Sequence, residues 1–228
     1  MKIPMVEIFQ TVEGEGLKAG FPTTFVRLYN CNLRCTWCDT KYSYAPFTPE
    51  FYGTIEEITG KVRAFANPSI CLTGGEPLMH GEKSLALIEA LAEIDFVQDI
   101  HVETNGSIDL LPFDKLRKSN PHCMNKVRFI MDYKLASSGE KDRMILSNFS
   151  LLEDQDEIKF VVGSNEEFQE AGEVIDRYYR QGQILFSPVW DVLPPAELVS
   201  LLLHSPYKGA KLSLQTHKYI WHPDKKGV

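Results

Sequence analysis

Short apolar segments suited to extended backbone recur along the chain, separated by stretches whose apolar residues fall at helical spacing. The first class predicts strands over Thr23–Leu28, Ser69–Leu72, Ile100–Glu103, Val127–Met131, Glu157–Val162, Gln183–Phe186 and Leu212–Gln215. The second predicts helices. From Thr54 to Ala66, residues Ile55, Ile58, Val62 and Phe65 share one face, and Thr54 with Glu57 forms a capping-box signature. Glu82–Ile94 carries Leu85, Ile88 and Leu91 in the same way, and Ser164 with Glu167 repeats the box before Phe168, Ala171, Val174, Ile175 and Tyr178. Strands alternating with helices imply βα units on a largely parallel sheet. Too few strands are present to close an eight-stranded barrel, so the expected fold is α/β, an open and incomplete TIM-like βα barrel. Gly106 to Pro121 is the least regular connection. No linker or repeat divides the sequence, so one domain over residues 1–228 is expected.

Several apolar strands run directly into polar or glycine residues. Cys71-Leu72 leads into Thr73-Gly74-Gly75-Glu76, Val102 into Glu103-Thr104-Asn105-Gly106, Ile130-Met131 into Asp132-Tyr133-Lys134, and Leu185-Phe186 into Ser187-Pro188. In open α/β sheets the carboxyl ends of strands face the ligand. One such junction is ordinary loop chemistry; four in succession point to a site.

Composition narrows the function classes. The 228 residues carry 24 Lys+Arg against 31 Asp+Glu, a net charge of −7 without basic runs, which argues against binding a nucleic-acid backbone. No apolar run is long enough to span a membrane. An acid at Glu7 interrupts the stretch a signal peptide would need, so a cytoplasmic location is expected.

Five cysteines are an odd set, and three of them crowd into Cys31-Asn32-Leu33-Arg34-Cys35-Thr36-Trp37-Cys38. This C-x3-C-x2-C run is no disulfide framework. Three thiolates on one loop suit three corners of an iron–sulfur cluster, leaving one iron open to a ligand. A structural zinc site would need a fourth ligand from Cys71, Cys123 or a histidine, none suitably spaced. A redox pair of Cys35 with Cys38 would leave Cys31 unexplained. Cys71, inside an apolar strand, reads as core, and Cys123 receives no role.

The cysteine loop, with Trp37 before its last cysteine, resembles the signature of the radical S-adenosylmethionine (SAM) superfamily, and Thr73-Gly74-Gly75-Glu76-Pro77 resembles that superfamily's Gly-Gly-Glu segment. The resemblance narrows at both ends of the chain. Glu7-Ile8-Phe9-Gln10-Thr11-Val12-Glu13-Gly14-Glu15-Gly16, Phe25-Val26-Arg27-Leu28, Cys38-Asp39-Thr40 and Leu214-Gln215-Thr216-His217-Lys218-Tyr219 are similar to segments of the 7-carboxy-7-deazaguanine synthases. That likeness implies a radical SAM fold and a [4Fe–4S] cluster on Cys31, Cys35 and Cys38. It implies SAM and Mg²⁺ as further cofactors and conversion of 6-carboxy-5,6,7,8-tetrahydropterin to 7-carboxy-7-deazaguanine, a lyase reaction on the way to queuosine. It further implies an external electron donor such as flavodoxin or ferredoxin, and a homodimer.

Residue by residue, the resemblance places Mg²⁺ on Thr40 and the pterin against Val12, Glu13, Gly14, Glu15, Arg27 and Thr73. Arg27 has the planar fork for a substrate carboxylate. SAM falls to Trp37, Gly75, Glu76, Glu103, Asp132, Tyr133, Lys134 and Ser187. Asp132 and Tyr133 depart from the Ser-Pro of many relatives, and Glu13 stands where many have Gln. His217 is taken as a structural brace. Two other functions compete: an activating enzyme that installs a glycyl radical on a partner protein, which would not need Arg27, and a zinc-stabilised binding module.

Overall fold

In a computed structural model that describes residues 2–223 and 225–228, nine strands are present. They are β1 (Lys2–Val12), β2 (Pro22–Leu28), β3 (Phe51–Thr54), β4 (Ser69–Gly74), β5 (Asp99–Thr104), β6 (Val127–Tyr133), β7 (Glu157–Val162), β8 (Gln183–Pro188) and β9 (Lys211–Leu212). All join one sheet in the order β3-β1-β2-β4-β5-β6-β7-β8-β9. From β2 to β9 every pairing is parallel, while β1 runs antiparallel to both β2 and β3. The two edges, β3 and β9, do not pair, so the sheet is open as expected, although it holds nine strands rather than the seven predicted.

The helices are α1 (Ile55–Phe65), α2 (Glu82–Ala92), α3 (Leu111–Ser119), α4 (Pro121–Met124), α5 (Asn165–Tyr178), α6 (Pro195–His204) and α7 (His217–Ile220). The box at α1 is complete: Glu57 N–H donates to Thr54 Oγ1 at 3.2 Å, and Thr54 N–H to Glu57 Oε2 at 2.7 Å. At α5 only half forms. Ser164 Oγ accepts from Glu167 N–H, but the Glu167 carboxylate instead takes the Ser137 N–H, the Ser137 hydroxyl and the Gly163 N–H.

Alternation of period two sorts each strand into two faces. Val26, Leu28, Ile70, Leu72, Ile100, Val102, Phe129, Met131, Phe160 and Phe186 point outward and pack with Ile58, Val62, Leu87, Leu91, Phe168 and Ile175 of the helices as one buried cluster. Each such side chain stabilises the fold by roughly 1.5–3 kcal/mol. The opposite face is polar: Ser69, Asp99, Arg128 and Glu157 in the lowest layer, Cys71 and His101 above them, and Thr73, Glu103, Asp132, Lys159 and Ser187 toward the carboxyl ends.

Four departures from the sequence reading stand out. β1 and β3 were not expected; Pro4 and a register shift between Met5 and Glu7 mask the alternation of β1. The irregular connection Gly106–Pro121 contains α3. α6 was not expected either. The last strand is Lys211–Leu212 rather than Leu212–Gln215, because Ser213 Oγ and Gln215 Nε2 bond to Gly16 and to Glu15 and Asp39.

Candidate functional site

A cavity of about 810 Å³ opens at the carboxyl ends of the parallel strands. That lies at the upper end of the usual range for ligand pockets, with room for a cofactor and a substrate together. The four polar strand ends converge there, through Thr73, Gly74 and Gly75, Glu103 to Asn105, Asp132 and Lys134, and Ser187.

The cysteine loop forms one wall. Cys31, Cys35 and Cys38 are free thiols lining the cavity. Cys31 Sγ accepts from Leu33 N–H at 3.4 Å, and Asn105 Nδ2 lies 3.7 Å away. Burial pushes the Cys35 thiol up to about 11 although Lys134 opposes it, so a bound metal would have to displace its proton. Gly74 and Gly75 let this loop close against β4. A Cβ on Gly74 would lie 2.3 Å from the Leu28 carbonyl oxygen, and one on Gly75 would lie 2.2 Å from that of Asn30 and 2.8 Å from Cys31 Cβ. Three cavity-facing thiols on one loop, with N–H groups aimed at sulfur, fit a three-cysteine cluster. Cys71 is buried beside His101 on the inner face, and Cys123 is buried in α4.

Next to the cysteines, the Lys134 ammonium stands 4.8 Å over the Trp37 ring and donates to Asp132 Oδ2 at 2.7 Å. Trp37 Nε1 donates to Ser137 Oγ. Asp132 Oδ1 and Ser187 Oγ are buried without a hydrogen-bond partner among the described residues. Such orphaned groups at a cavity are what a polar ligand satisfies. Two residues expected here lie elsewhere. Tyr133 follows Asp132 on the opposite strand face, and its ring packs 5.7 Å from both Phe149 and Phe160. Glu76 is fully buried; its carboxylate accepts from Leu78 N–H, Asn105 N–H and the Thr104 hydroxyl. It braces the β4 and β5 loops and does not line the cavity, although burial raises its carboxyl to about 7.

Around the rest of the cavity, Arg27 Nε donates to Glu7 Oε1 at 2.9 Å, and Tyr42 OH donates to the same oxygen at 3.2 Å. Neither Arg27 Nη group has a hydrogen bond among the described residues. Thr40 lines the same cavity, its Oγ1 3.7 Å from Cys38 Sγ. Val12 ends β1 and leads into a rim loop of Glu13, Gly14 and Glu15, all lining the cavity. Gly14 leaves room for its neighbour, since a Cβ there would meet His217 Nδ1 at 2.4 Å. His217, at the start of α7, also lines the cavity.

Lys159 is a central residue that the sequence reading missed. Its ammonium lies 3.2 Å from both Glu15 Oε2 and Glu103 Oε2, and 4.0 Å from Asp132. Burial raises the Glu103 carboxyl to about 7 against the pull of Lys159, with Glu15 and Glu13 adding to the rise. The signal was there: Glu157-Ile158-Lys159-Phe160 alternates charged and apolar residues within a parallel strand, where both faces are usually apolar.

Comparison with known proteins identifies the family. Residues 26–129 match the Radical SAM superfamily. The chain is 34% identical to 7-carboxy-7-deazaguanine synthase of Clostridium acetobutylicum, covering 100% of both chains. It is 35% identical to the enzyme of that name from Leptospira interrogans, covering 100% of this chain and 99% of the other. Among solved structures, QueE from Escherichia coli shares the fold with a TM-score of 0.72 at 22% identity over 95% of each chain. Streptococcus suis SuiB bound to S-adenosylmethionine shares it more loosely, with a TM-score of 0.56 at 13% identity over 82% of this chain and 47% of that one.

Proposed function

The chain belongs to the 7-carboxy-7-deazaguanine synthase family of the radical SAM superfamily, and on that premise we propose that it performs the family's reaction. That reaction is the Mg²⁺-dependent ring contraction of 6-carboxy-5,6,7,8-tetrahydropterin to 7-carboxy-7-deazaguanine, with loss of ammonia. The observation that carries the reading is one cavity lined by three loop cysteines and by an arginine whose Nη groups are unspent.

Cys31, Cys35 and Cys38 would hold the [4Fe–4S] cluster; Gly75, Trp37, Asp132, Lys134 and Ser187 would hold SAM. When bound, these two groups supply the carbon radical that opens the reaction. Arg27 binds the substrate carboxylate through its Nη pair, while Glu7 fixes the plane of the guanidinium. Glu15 accepts from the pyrimidine edge, and Lys159 holds Glu15 in place. The Thr40 hydroxyl is a hard-oxygen ligand for Mg²⁺, which would neutralise charge near the carboxylate. Superfamily membership also supports a one-electron donor such as flavodoxin or ferredoxin. A homodimer and a cytoplasmic location belong to the same reading. No helix among the described residues is long and apolar enough to cross a membrane.

The test is anaerobic reconstitution with iron and sulfide, followed by turnover of carboxytetrahydropterin with SAM and reductant. The expected product has the mass of 7-carboxy-7-deazaguanine. Cleavage of SAM without that product would move the chain to another radical SAM reaction. The metal assignment has its own arm: Thr40→Ala should keep the iron content and flatten the response of turnover to added Mg²⁺, whereas Thr40→Ser should retain it. A parental response in Thr40→Ala would remove Thr40 from the metal.

A further inference from the structure

Asp99, His101 and Glu103 alternate along β5, so all three face into the barrel. Glu103 reaches the cavity, and His101 lies below it, fully buried. His101 Nε2 is 2.6 Å from Glu13 Oε2, and Nδ1 is 2.9 Å from Asp99 Oδ2. An ionised carboxylate only accepts, so both contacts are hydrogen bonds only if both ring nitrogens carry hydrogen. Placing a proton on either carboxyl instead is opposed by their other donors. Glu13 Oε1 already accepts the Gly14 and Glu15 N–H groups, at 2.9 and 3.2 Å. Asp99 already accepts from Arg128 Nε at 2.7 Å and from the Ser69 hydroxyl at 3.3 Å.

The groups facing the ring are Glu13 at the end of β1, Cys71 on β4, Asp99 and Glu103 on β5, and Arg128 on β6, which is shared with Glu157 of β7. Burial disfavours charge on His101, but the Asp99 and Glu13 carboxylates outweigh it and hold the ring above the ordinary histidine range, while Cys71, a neutral thiol, carries no charge to add. Glu13, Cys71 and His101 offer three possible metal-ligand atoms within 4.8 Å of one another. The 2.6 Å separation, however, is shorter than the roughly 3.3 Å between two tetrahedral zinc ligands at about 2.0 Å. Burial also pushes the Cys71 thiol up to about 12. The trio is a hydrogen-bonded clasp.

The clasp belongs to a closed circuit around the rim loop. From Glu13 it runs through His101, Asp99, Arg128 and Glu157, and Glu157 Oε2 accepts the N–H of Leu17 at 2.9 Å. Both ends of the Glu13–Leu17 loop are thus tied to one buried chain of alternating charge. We infer that His101 is a positioning residue: its imidazolium, clasped between Asp99 and Glu13, holds the rim loop in the shape that receives the substrate. The inference rests on the pterin reading of the cavity.

The test has two readouts. Ring-¹⁵N NMR of the reconstituted enzyme should show both His101 nitrogens protonated and unchanged from pH 6 to 9; a neutral ring at pH 7 would overturn the inference. His101→Gln should raise the KM for carboxytetrahydropterin at least tenfold, with the KM for SAM within twofold of the parent and the iron content unchanged. Equal changes in both KM values, or none, would overturn it. If that variant does not fold, Glu13→Gln decides. It keeps an acceptor for the loop amides but removes the anion, so the His101 ring should titrate between pH 6 and 9; an unaltered ring spectrum would sink the clasp. A parent enzyme that cleaves SAM but leaves the pterin unchanged would refute the pterin reading, while the NMR result would still report the state of His101.

Discussion

Asp99 and Glu103 stand on the same face of one strand, and the fold treats their carboxyls in opposite ways. Asp99, at the amino-terminal end of β5, accepts from Arg128, His101 and Ser69, and these partners hold its carboxyl well below the usual range against the cost of burial. Glu103, at the carboxyl-terminal end, shares one ammonium with Glu15 and Asp132, and burial raises its carboxyl to about 7. Nearby connections at the lower end are equally well supplied. Asp156, just before β7, takes two bonds from Arg117 Nη1 and one each from Phe129 N–H and Glu153 N–H. Charge at the lower end is paired within the protein and supports the fold. Charge at the upper end is under-paired, with three carboxylates around one Lys159 ammonium and Asp132 Oδ1 left without a partner among the described residues.

The sharpest way to break this comparison is to damage each end separately. Cys35→Ala should abolish turnover and bound iron while leaving the thermal midpoint of the unreconstituted chain nearly unchanged. Cys71→Ala, altering a neutral buried thiol, should keep its iron; loss of the cluster in Cys71→Ala would end the three-cysteine assignment. Asp156→Ala should do the reverse. It leaves Arg117 Nη1 and the Phe129 N–H without their acceptor, while Arg117 Nη2 keeps Asp114 and the Leu151 carbonyl, and a buried donor left unsatisfied costs about 1–3 kcal/mol. Denaturant titration should show that loss with the iron per folded chain unchanged.

Arg27→Lys comes next in size. A point ammonium cannot reproduce two parallel bonds to a carboxylate. The loss of about 1–3 kcal/mol corresponds to a KM for the pterin raised roughly 5- to 150-fold, with the KM for SAM unaffected. Equal weakening of both would show that Arg27 supports the cysteine loop instead.

The legibility of the chain followed the same division between local and distant. The Thr54 capping box and the cysteine loop could be read because each function sits within a few consecutive residues. Period two would also have moved Tyr133 to the outer face once Asp132 was placed on the inner one. The alternation around Lys159 marked a polar inner face, but the roles of His101 and Lys159 could not be assigned, because a polar residue in a strand is ambiguous until its partners are known. Those partners are far off in sequence: Glu13 lies 88 positions from His101, and Glu15 lies 144 positions from Lys159. Glu76 misled for a related reason. Its motif marks a ligand loop, yet its own carboxylate is consumed by Leu78, Thr104 and Asn105.

The smallest expected effect tests the comparison on β5 itself. Burial raises the Glu103 carboxyl to about 7 in the folded chain, from the ordinary 4.5 expected when unfolded. Between those values the folded protein binds the extra proton, so the contribution of Glu103 to stability is fully present below about 4.5 and is lost as pH rises through about 7. Asp99 has the opposite sign: its folded carboxyl is depressed, so its contribution is present above the unfolded value of 3.8 and is lost as pH falls. Glu103→Gln cannot ionise and keeps a hydrogen-bonding end, so it should remove the decline across this window. Thermal midpoints of the unreconstituted parent and variant, compared from pH 4.5 to 8, should diverge with rising pH in favour of the variant and run parallel above about 7. Midpoints that instead converge toward high pH would mean that Lys159 fully satisfies Glu103. The upper end of the barrel would then be as well paired as the lower, and the contrast along β5 would fail.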